Sequence, residues 1–411
     1  MSAHTFGISE GLDAFNVSFT IASFLTIVVG SAFQIALVPV YIETKVKYNQ
    51  DAANSLVAAI LKLCLCVLLV VCFVLLISFP YLLPLLFPKF DISKLQTTLF
   101  LCYLFVPVIV LSGCALTVTG ILNAEEAFSV TAIIPGITTV LTVVALYYLG
   151  NQLGVYSLAA GVIVGSVLEL IVLLKVLHLL NIKLLFKSSI RESQARSVIR
   201  NTLPIAGASI LSGLMPLVDQ AFAGQLRSGD ISALSFGSRI ISLAIALFAA
   251  SIAATVLPYF SKLAVERKWR MLKNVFTNSL LKFILPGTIV ALVAIIFLST
   301  PIVKLLFQSG AFSETSTVLV SRIQSVYALQ LPAYMVHLVG MRLLSAIQEN
   351  TKAILIALVS LVVNIFADYI LSRWLGVEGI AWATSLVYLI AMSITLICVY
   401  KSLNRRGEAE A

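Results

Sequence analysis

The sequence predicts an all-α polytopic membrane protein made of two pseudo-symmetric helix bundles, with five transmembrane helices in the first and six in the second. Three observations carry this prediction. First, hydrophobic residues make up 60% of the 411 residues and charged residues only 11%, against roughly 45–50% and about 25% in a soluble domain. Mean hydropathy is +1.06. A water-soluble globule has too little interior for so much apolar surface, which excludes an ordinary soluble enzyme, a disordered chain and a fibre. Second, eleven apolar runs reach the ~20 residues needed to cross the hydrocarbon core. Third, the two halves of the chain repeat one another.

The runs lie at 13–41, 54–80, 97–122, 129–149, 154–180, 202–224, 232–260, 275–299, 317–347, 352–373 and 379–400. Each is read as a helix, because lipid offers no partner to free backbone groups. Prolines inside them (Pro39, Pro107, Pro135, Pro204, Pro258, Pro286, Pro332) predict kinks. The opening MSAHTFGISEGLDAF has no basic stretch followed by an apolar core and is not read as a signal peptide. Residues 1–181 form the first bundle and 202–402 the second, with 403–411 as a tail. The linker 182–201 is basic and amphipathic over 183–200, which suits a helix lying on anionic lipid.

Charge orients the spans. The net charge is +9. Alternate loops hold sixteen lysines and arginines on one side, at 45–47, 183–200, 262–273, 352 and 401–406, and five on the other, at 89, 94, 227, 304 and 373. The remaining six lie within spans or at their ends. Positive loops stay in the cytoplasm, so the C-terminus is expected inside and, with eleven spans, the N-terminus outside. A basic chain of this kind needs no nucleic-acid partner; membrane lipids are the expected one.

The repeat is visible residue by residue. Ala36–Tyr41 aligns with Thr255–Phe260 at an offset of 219. Leu85-Leu86-Phe87 aligns with Leu305-Leu306-Phe307 at 220, and Leu153-Gly154-Val155 with Leu375-Gly376-Val377 at 222. Three matches in order argue for duplication. The helix at 202–224 has no counterpart after Met1, so a six-plus-six design predicts a further helix upstream. Two such halves are a transporter architecture, with substrate bound between them.

Ionisable residues inside spans cost about 2.5–3.5 kcal/mol each and are therefore candidates for a cavity. The principal set is Arg239, Asp13, Asp219 and Glu169; Arg322, Arg342 and Asp368 are secondary. Arg239, in Ser235-Phe236-Gly237-Ser238-Arg239, can grip a phosphate or pyrophosphate with its planar fork, or snorkel. Asp13 either pairs with a cation or caps its helix. Asp219 is placed to pair with Arg239 on the next helix. Glu169 and Lys175 are six apart and face different sides. Arg322 and Arg342 flank the span containing His337. Asp368 shares a helix face with Asn364, as a cavity group or as helix-to-helix glue.

Other chemistry is not expected. The six cysteines sit in apolar runs without a CxxC spacing or a nearby histidine, so neither a disulfide framework nor a metal site is read. There is no Walker A motif, nucleophile elbow or HExxH motif; no enzyme activity and no cofactor is expected.

Several stretches carry a family resemblance: Phe6-Gly7-Ile8-Ser9 with Asp13-Ala14-Phe15, Ala32-Phe33 with Val38-Pro39-Val40, Val218-Asp219-Gln220-Ala221-Phe222-Ala223, Ser235 to Arg239, Ala254 to Pro258, and Leu306-Phe307-Gln308-Ser309-Gly310-Ala311-Phe312. From about Phe6 to Tyr400 the chain resembles the MurJ/MviN family of lipid II flippases, in the multidrug/oligosaccharidyl-lipid/polysaccharide exporter superfamily. The resemblance implies an alternating-access carrier of the bacterial cytoplasmic membrane. Its cationic cavity would move an undecaprenyl-pyrophosphate-linked glycan, lipid II foremost, to the outer leaflet for peptidoglycan synthesis, driven by membrane potential or a coupling ion that the sequence does not name. The chain departs from the family pattern. The first family helix and its arginines are absent, Leu25-Thr26 stands where an arginine pair is usual, and Ser238 replaces the aspartate before Arg239. A flippase for an exopolysaccharide or O-antigen unit, a cation-coupled small-molecule exporter and a non-transporting scaffold are the alternative readings.

Overall fold

The computed structural model describes residues 1–182, 192–347 and 349–408, and every regular element among them is helical. The chain forms two compact units, Met1–Leu217 and Val218–Ala411.

In the first unit a short helix, α1 (Ser2–Phe6), precedes α2 (Glu10–Thr26), which Ser9 caps by accepting a hydrogen bond from the Leu12 amide. A π-helical turn over Ile27–Ser31 joins α2 to α3 (Ala32–Lys47), so the run predicted at 13–41 is one longer span. Gly30 lies in this turn because a side chain there would meet the Gly113 backbone at 3.0 Å. Next come α4 (Gln50–Leu86) and α5 (Ile92–Ala124), capped by Asn49 and Asp91. Then follow α6 (Phe128–Ile133), α7 (Pro135–Leu153) and α8 (Tyr156–Leu179). α7 packs on α8 through Gly161 and Gly165, where a Cβ would lie 2.5 and 2.6 Å from the Thr142 and Thr138 Cα atoms. Small residues one turn apart are what let two membrane helices approach this closely. The basic linker predicted at 182–201 falls in good part on 183–191, outside the described residues. From Glu192 the chain is already α9 (Glu192–Ala223), which passes from the first unit into the second.

The second unit contains α10 (Asp230–Val265), α11 (Trp269–Ser279), a π-helical turn (Leu280–Ile284), α12 (Leu285–Phe307), α13 (Glu314–Ala328), α14 (Gln330–Ala346), α15 (Asn350–Leu375) and α16 (Val377–Glu408). Prolines set its irregularities. Pro332 has no N–H for the Ala328 carbonyl, and the span predicted at 317–347 breaks at Leu329. Pro286 likewise leaves the Lys282 carbonyl without its i+4 donor, and the π turn sits at that place. Phe260, Trp269, Leu272, Phe276, Met335 and Leu343 belong to one buried core cluster.

The repeat survives folding. α4 has 37 residues and the continuous Trp269–Phe307 run has 39. Each half places a left-handed glycine after its next-to-last span, Gly154 at φ 54° and Gly376 at φ 62°.

Nine described helical runs are long and apolar enough to cross a membrane. α9 and the α13–α14 run occupy the two remaining predicted spans. Polarity is inverted relative to a soluble protein. Phe73, Tyr81 and Phe297 are 64%, 78% and 79% exposed, whereas Asp13, Asn364 and Asp368 are fully buried. This is the surface of a multi-pass membrane protein.

Candidate functional site

Each unit contains its own polar interior. In the first, Asp13 accepts a hydrogen bond from the Lys94 ammonium at 2.7 Å. Their side chains are 0% and 7% exposed. Asp91 fixes the start of α5 by accepting from the Lys94 amide at 2.8 Å, and the ammonium rests 4.3 Å from the Phe90 ring centroid. Ser9, not Asp13, caps α2 through its side chain, so Asp13 is a buried counter-ion. Lys94 counts as an outer-loop cation in the sequence; nothing local marks it as buried.

Glu169 lies on the face of α8 that carries Gly161 and Gly165. The close approach of α7 brings the Thr138 hydroxyl to donate to its carboxylate at 2.7 Å.

The second unit holds an all-oxygen cluster. Asp219 of α9 accepts from the Asn364 amide at 2.8 Å and from the Thr384 hydroxyl at 3.3 Å. The Asp368 carboxyl faces Asp219 at hydrogen-bonding range. Two carboxylates are both acceptors, so neither satisfies the other. Both Asp368 oxygens and Asn364 Oδ1 have no donor among the described residues. Two carboxylates at this range cannot both stay charged without a proton or a cation between them. Asp219, Asp368, the Asn364 carbonyl and the Thr384 hydroxyl are hard oxygen donors, suited to a proton or a hard cation. Among the described residues no group of three or more His, Cys, Asp or Glu forms a metal cage.

Arg239 does not pair with Asp219 as the sequence suggests. The oxygens of Asp219 are taken by Asn364 and Thr384, whereas Arg239 lies 4.8 Å over the Phe236 ring. Phe236 is itself packed against Phe307 and Phe312 at 5.1 and 5.5 Å, and those two rings meet each other at 6.0 Å. Arg239 is exposed as a residue and makes no ion pair among the described residues. It is a cation held on an aromatic platform with its donors open. Arg322 instead reaches Glu378 at 3.8 Å on an exposed surface. Arg342 is exposed, and His337 bonds Thr395 at 2.8 Å.

Two further ion clusters escaped sequence reasoning. At the end of α5, Glu125 accepts from Lys45 and Tyr41, both at 2.6 Å. Partial burial raises its pKa, and these hydrogen bonds outweigh that effect and hold it below the ordinary value. After α14, Glu349 meets Lys352, Ser402 and Arg406. There too burial works upward, and the Lys352 and Ser402 bonds bring the carboxyl below its usual range.

The family model for the lipid II flippase MurJ matches residues 2–410. A probable lipid II flippase MurJ from Rhizobium meliloti (strain 1021) is 24% identical over 98% of this chain and 76% of its own. The structure of a lipid II flippase MurJ in an inward closed conformation superposes with a TM-score of 0.82 at 25% identity, over 98% of this chain and 85% of that one. An inward-facing multidrug resistance MATE family transporter of the MOP superfamily shares the fold, with a TM-score of 0.88 at 13% identity over 100% and 94% of the two chains.

Proposed function

We propose, for a chain that belongs to the lipid II flippase MurJ family, that it carries lipid II from the inner to the outer leaflet by alternating access. The membrane is the bacterial cytoplasmic membrane, with the C-terminus inside, as the loop charges direct. The chain transports and does not catalyse.

The observation that carries this reading is Arg239. An unpaired guanidinium in an apolar helix is costly unless an anion completes it. Its planar fork, held over the Phe236 ring, matches two pyrophosphate oxygens. Asp219 and Asp368, with Asn364 and Thr384, take the coupling cation or proton. Its arrival neutralises an acid pair that is otherwise uncompensated.

Lipid II flipping measured in cells depleted of their own flippase tests the reading. Arg239→Gln removes hydrogen bonds to a charged group worth about 1.5–3 kcal/mol, which is about tenfold or more in substrate affinity. Wild-type chain restoring growth and Arg239→Gln failing to do so is the expected result. Wild-type flipping by the variant refutes the role of Arg239. Failure of the wild-type chain itself, at normal membrane abundance, refutes lipid II as the substrate.

A further inference from the structure

We propose that Lys62 and Lys282 form a pseudo-symmetric pair of sites, one in each half, that each bind the phosphodiester of an anionic phospholipid in the cytoplasmic leaflet. Lys62 lies on α4 and Lys282 in the π turn between α11 and α12. They are 220 residues apart, the same offset that aligns Leu85-Leu86-Phe87 with Leu305-Leu306-Phe307 farther along the same two spans. Each lysine therefore occupies the same place in its half.

Their positions along the two spans coincide as well. The midpoint of Gln50–Leu86 is Leu68 and that of Trp269–Phe307 is Thr288, so each lysine lies six residues before its midpoint. At 1.5 Å per residue this is about 9 Å toward the helix start. A lysine side chain adds about 6 Å by snorkelling. Half of the hydrocarbon core is about 15 Å thick. Each ammonium thus reaches the level where lipid phosphates begin. Helical side chains lean toward the N-terminus, and both spans start at the same end, cytoplasmic under the orientation proposed above.

Their surroundings point to lipid. Both lysines are exposed and, among the described residues, neither makes a hydrogen bond or ion pair. Leu69, Val70 and Phe73 of α4 are 53%, 64% and 64% exposed, and Leu281 and Phe283 beside Lys282 are 60% and 75% exposed. A charge on such a surface needs a counter-ion from the bilayer, and the bilayer's anion is a lipid phosphate. The π turn around Lys282 adds a local departure from regular helix at the residue in question.

Native mass spectrometry of the full chain, titrated separately with phosphatidylglycerol and phosphatidylethanolamine of matched acyl chains and with undecaprenyl phosphate, tests the proposal. The wild type is expected to prefer phosphatidylglycerol. Lys62→Gln and Lys282→Gln should each weaken that binding about fivefold, from about 1 kcal/mol per basic residue at an anionic surface. The double variant should lose both tight adducts, Lys62→Arg and Lys282→Arg should keep them, and Lys304→Gln at the far end of α12 should leave them unchanged. Where glutamine impairs folding, methionine at both positions gives the same readout on an apolar surface. Unchanged adducts in the double variant, or equal losses of both lipids, overturn the proposal. So does a loss of undecaprenyl phosphate binding without a loss of phosphatidylglycerol, which would assign the phosphate to the carrier lipid. Adduct counts do not depend on orientation, which cysteine labelling of the C-terminal tail in intact cells reports separately.

Discussion

Replacing Asp13 by Asn isolates the energetics of the buried pair in the first unit. At 2.7 Å, two unit charges attract by about 6 kcal/mol at an effective dielectric of about 20. Desolvation offsets much of that gain, since both side chains are almost wholly buried. What remains after the substitution is a lysine ammonium, 7% exposed, with no carboxylate to balance it. Breaking one side of such a pair costs about 3–5 kcal/mol. Lys94→Met removes the charge and keeps an unbranched side chain of similar length, so the double variant Asp13→Asn/Lys94→Met should recover most of the loss. Thermal unfolding in detergent, run as a double-mutant cycle at one scan rate, measures the coupling. A coupling of about 2 kcal/mol or more is expected. A coupling near zero, with Asp13→Asn equally costly whether or not Lys94 is present, would refute the pair as the reason for Asp13's burial.

Three other outcomes follow from the packing and the charges. Asp368→Asn removes one of two uncompensated carboxyl groups, so the protein should be at least as stable as wild type while flipping loses its dependence on the coupling ion; an unaltered ion dependence in vesicles would contradict the site. Gly165→Val should cost about 1–3 kcal/mol in unfolding measurements, because its Cβ would lie 2.6 Å from the Thr138 Cα and force α7 away from Glu169; an unchanged midpoint would show that the helices are not held this close. The carboxyl of Glu349 is held below its ordinary pKa, so its stabilisation is present above the unfolded value of about 4.3 and is lost as pH falls through the folded value. Glu349→Gln should therefore flatten the acid limb of the stability profile, and a limb of unchanged slope would count against the Lys352–Ser402–Arg406 cluster.

The spans were legible because hydropathy is a property of a whole run and needs no knowledge of neighbours. Limits were legible only where composition changed with structure. The run at 275–299 begins at Trp269 in the fold, because Arg270, Lys273 and Asn274 lower the hydropathy of a helix whose Trp269, Leu272 and Phe276 are buried. Partners were much less legible than positions. Asn364 and Asp368 are one turn apart and announce a polar face, and that face does meet Asp219. Lys94 and Asp13 are 81 residues apart, and no local pattern joins them. The Asp219–Arg239 pairing failed for the same reason. Proximity in sequence favoured the next helix, whereas the contacts of Asp219 come from α15 and α16. Nothing short of tertiary structure places Glu125 against both Lys45 and Tyr41.

The two halves share a helix plan but have solved the buried-charge problem in opposite ways, and under the proposed function the difference bears on where an ion would couple. In the first unit Asp13 has an ammonium at 2.7 Å, so its charge is cancelled within the protein and no external ion is required. In the second, Asp219 has an amide and a hydroxyl, and Asp368 has no donor among the described residues. Hydrogen bonds ease the charge of Asp219, but they bring no positive charge, so the pair must draw a proton or cation from outside. A site that is neutral only when loaded has a free energy that depends on the ion's concentration and on membrane potential. A site neutralised by lysine does not. Under the proposed function the driving force should therefore enter through α9, α15 and α16 of the second unit, while the Asp13–Lys94 pair of the first unit keeps its internal charge fixed as an ion gradient changes.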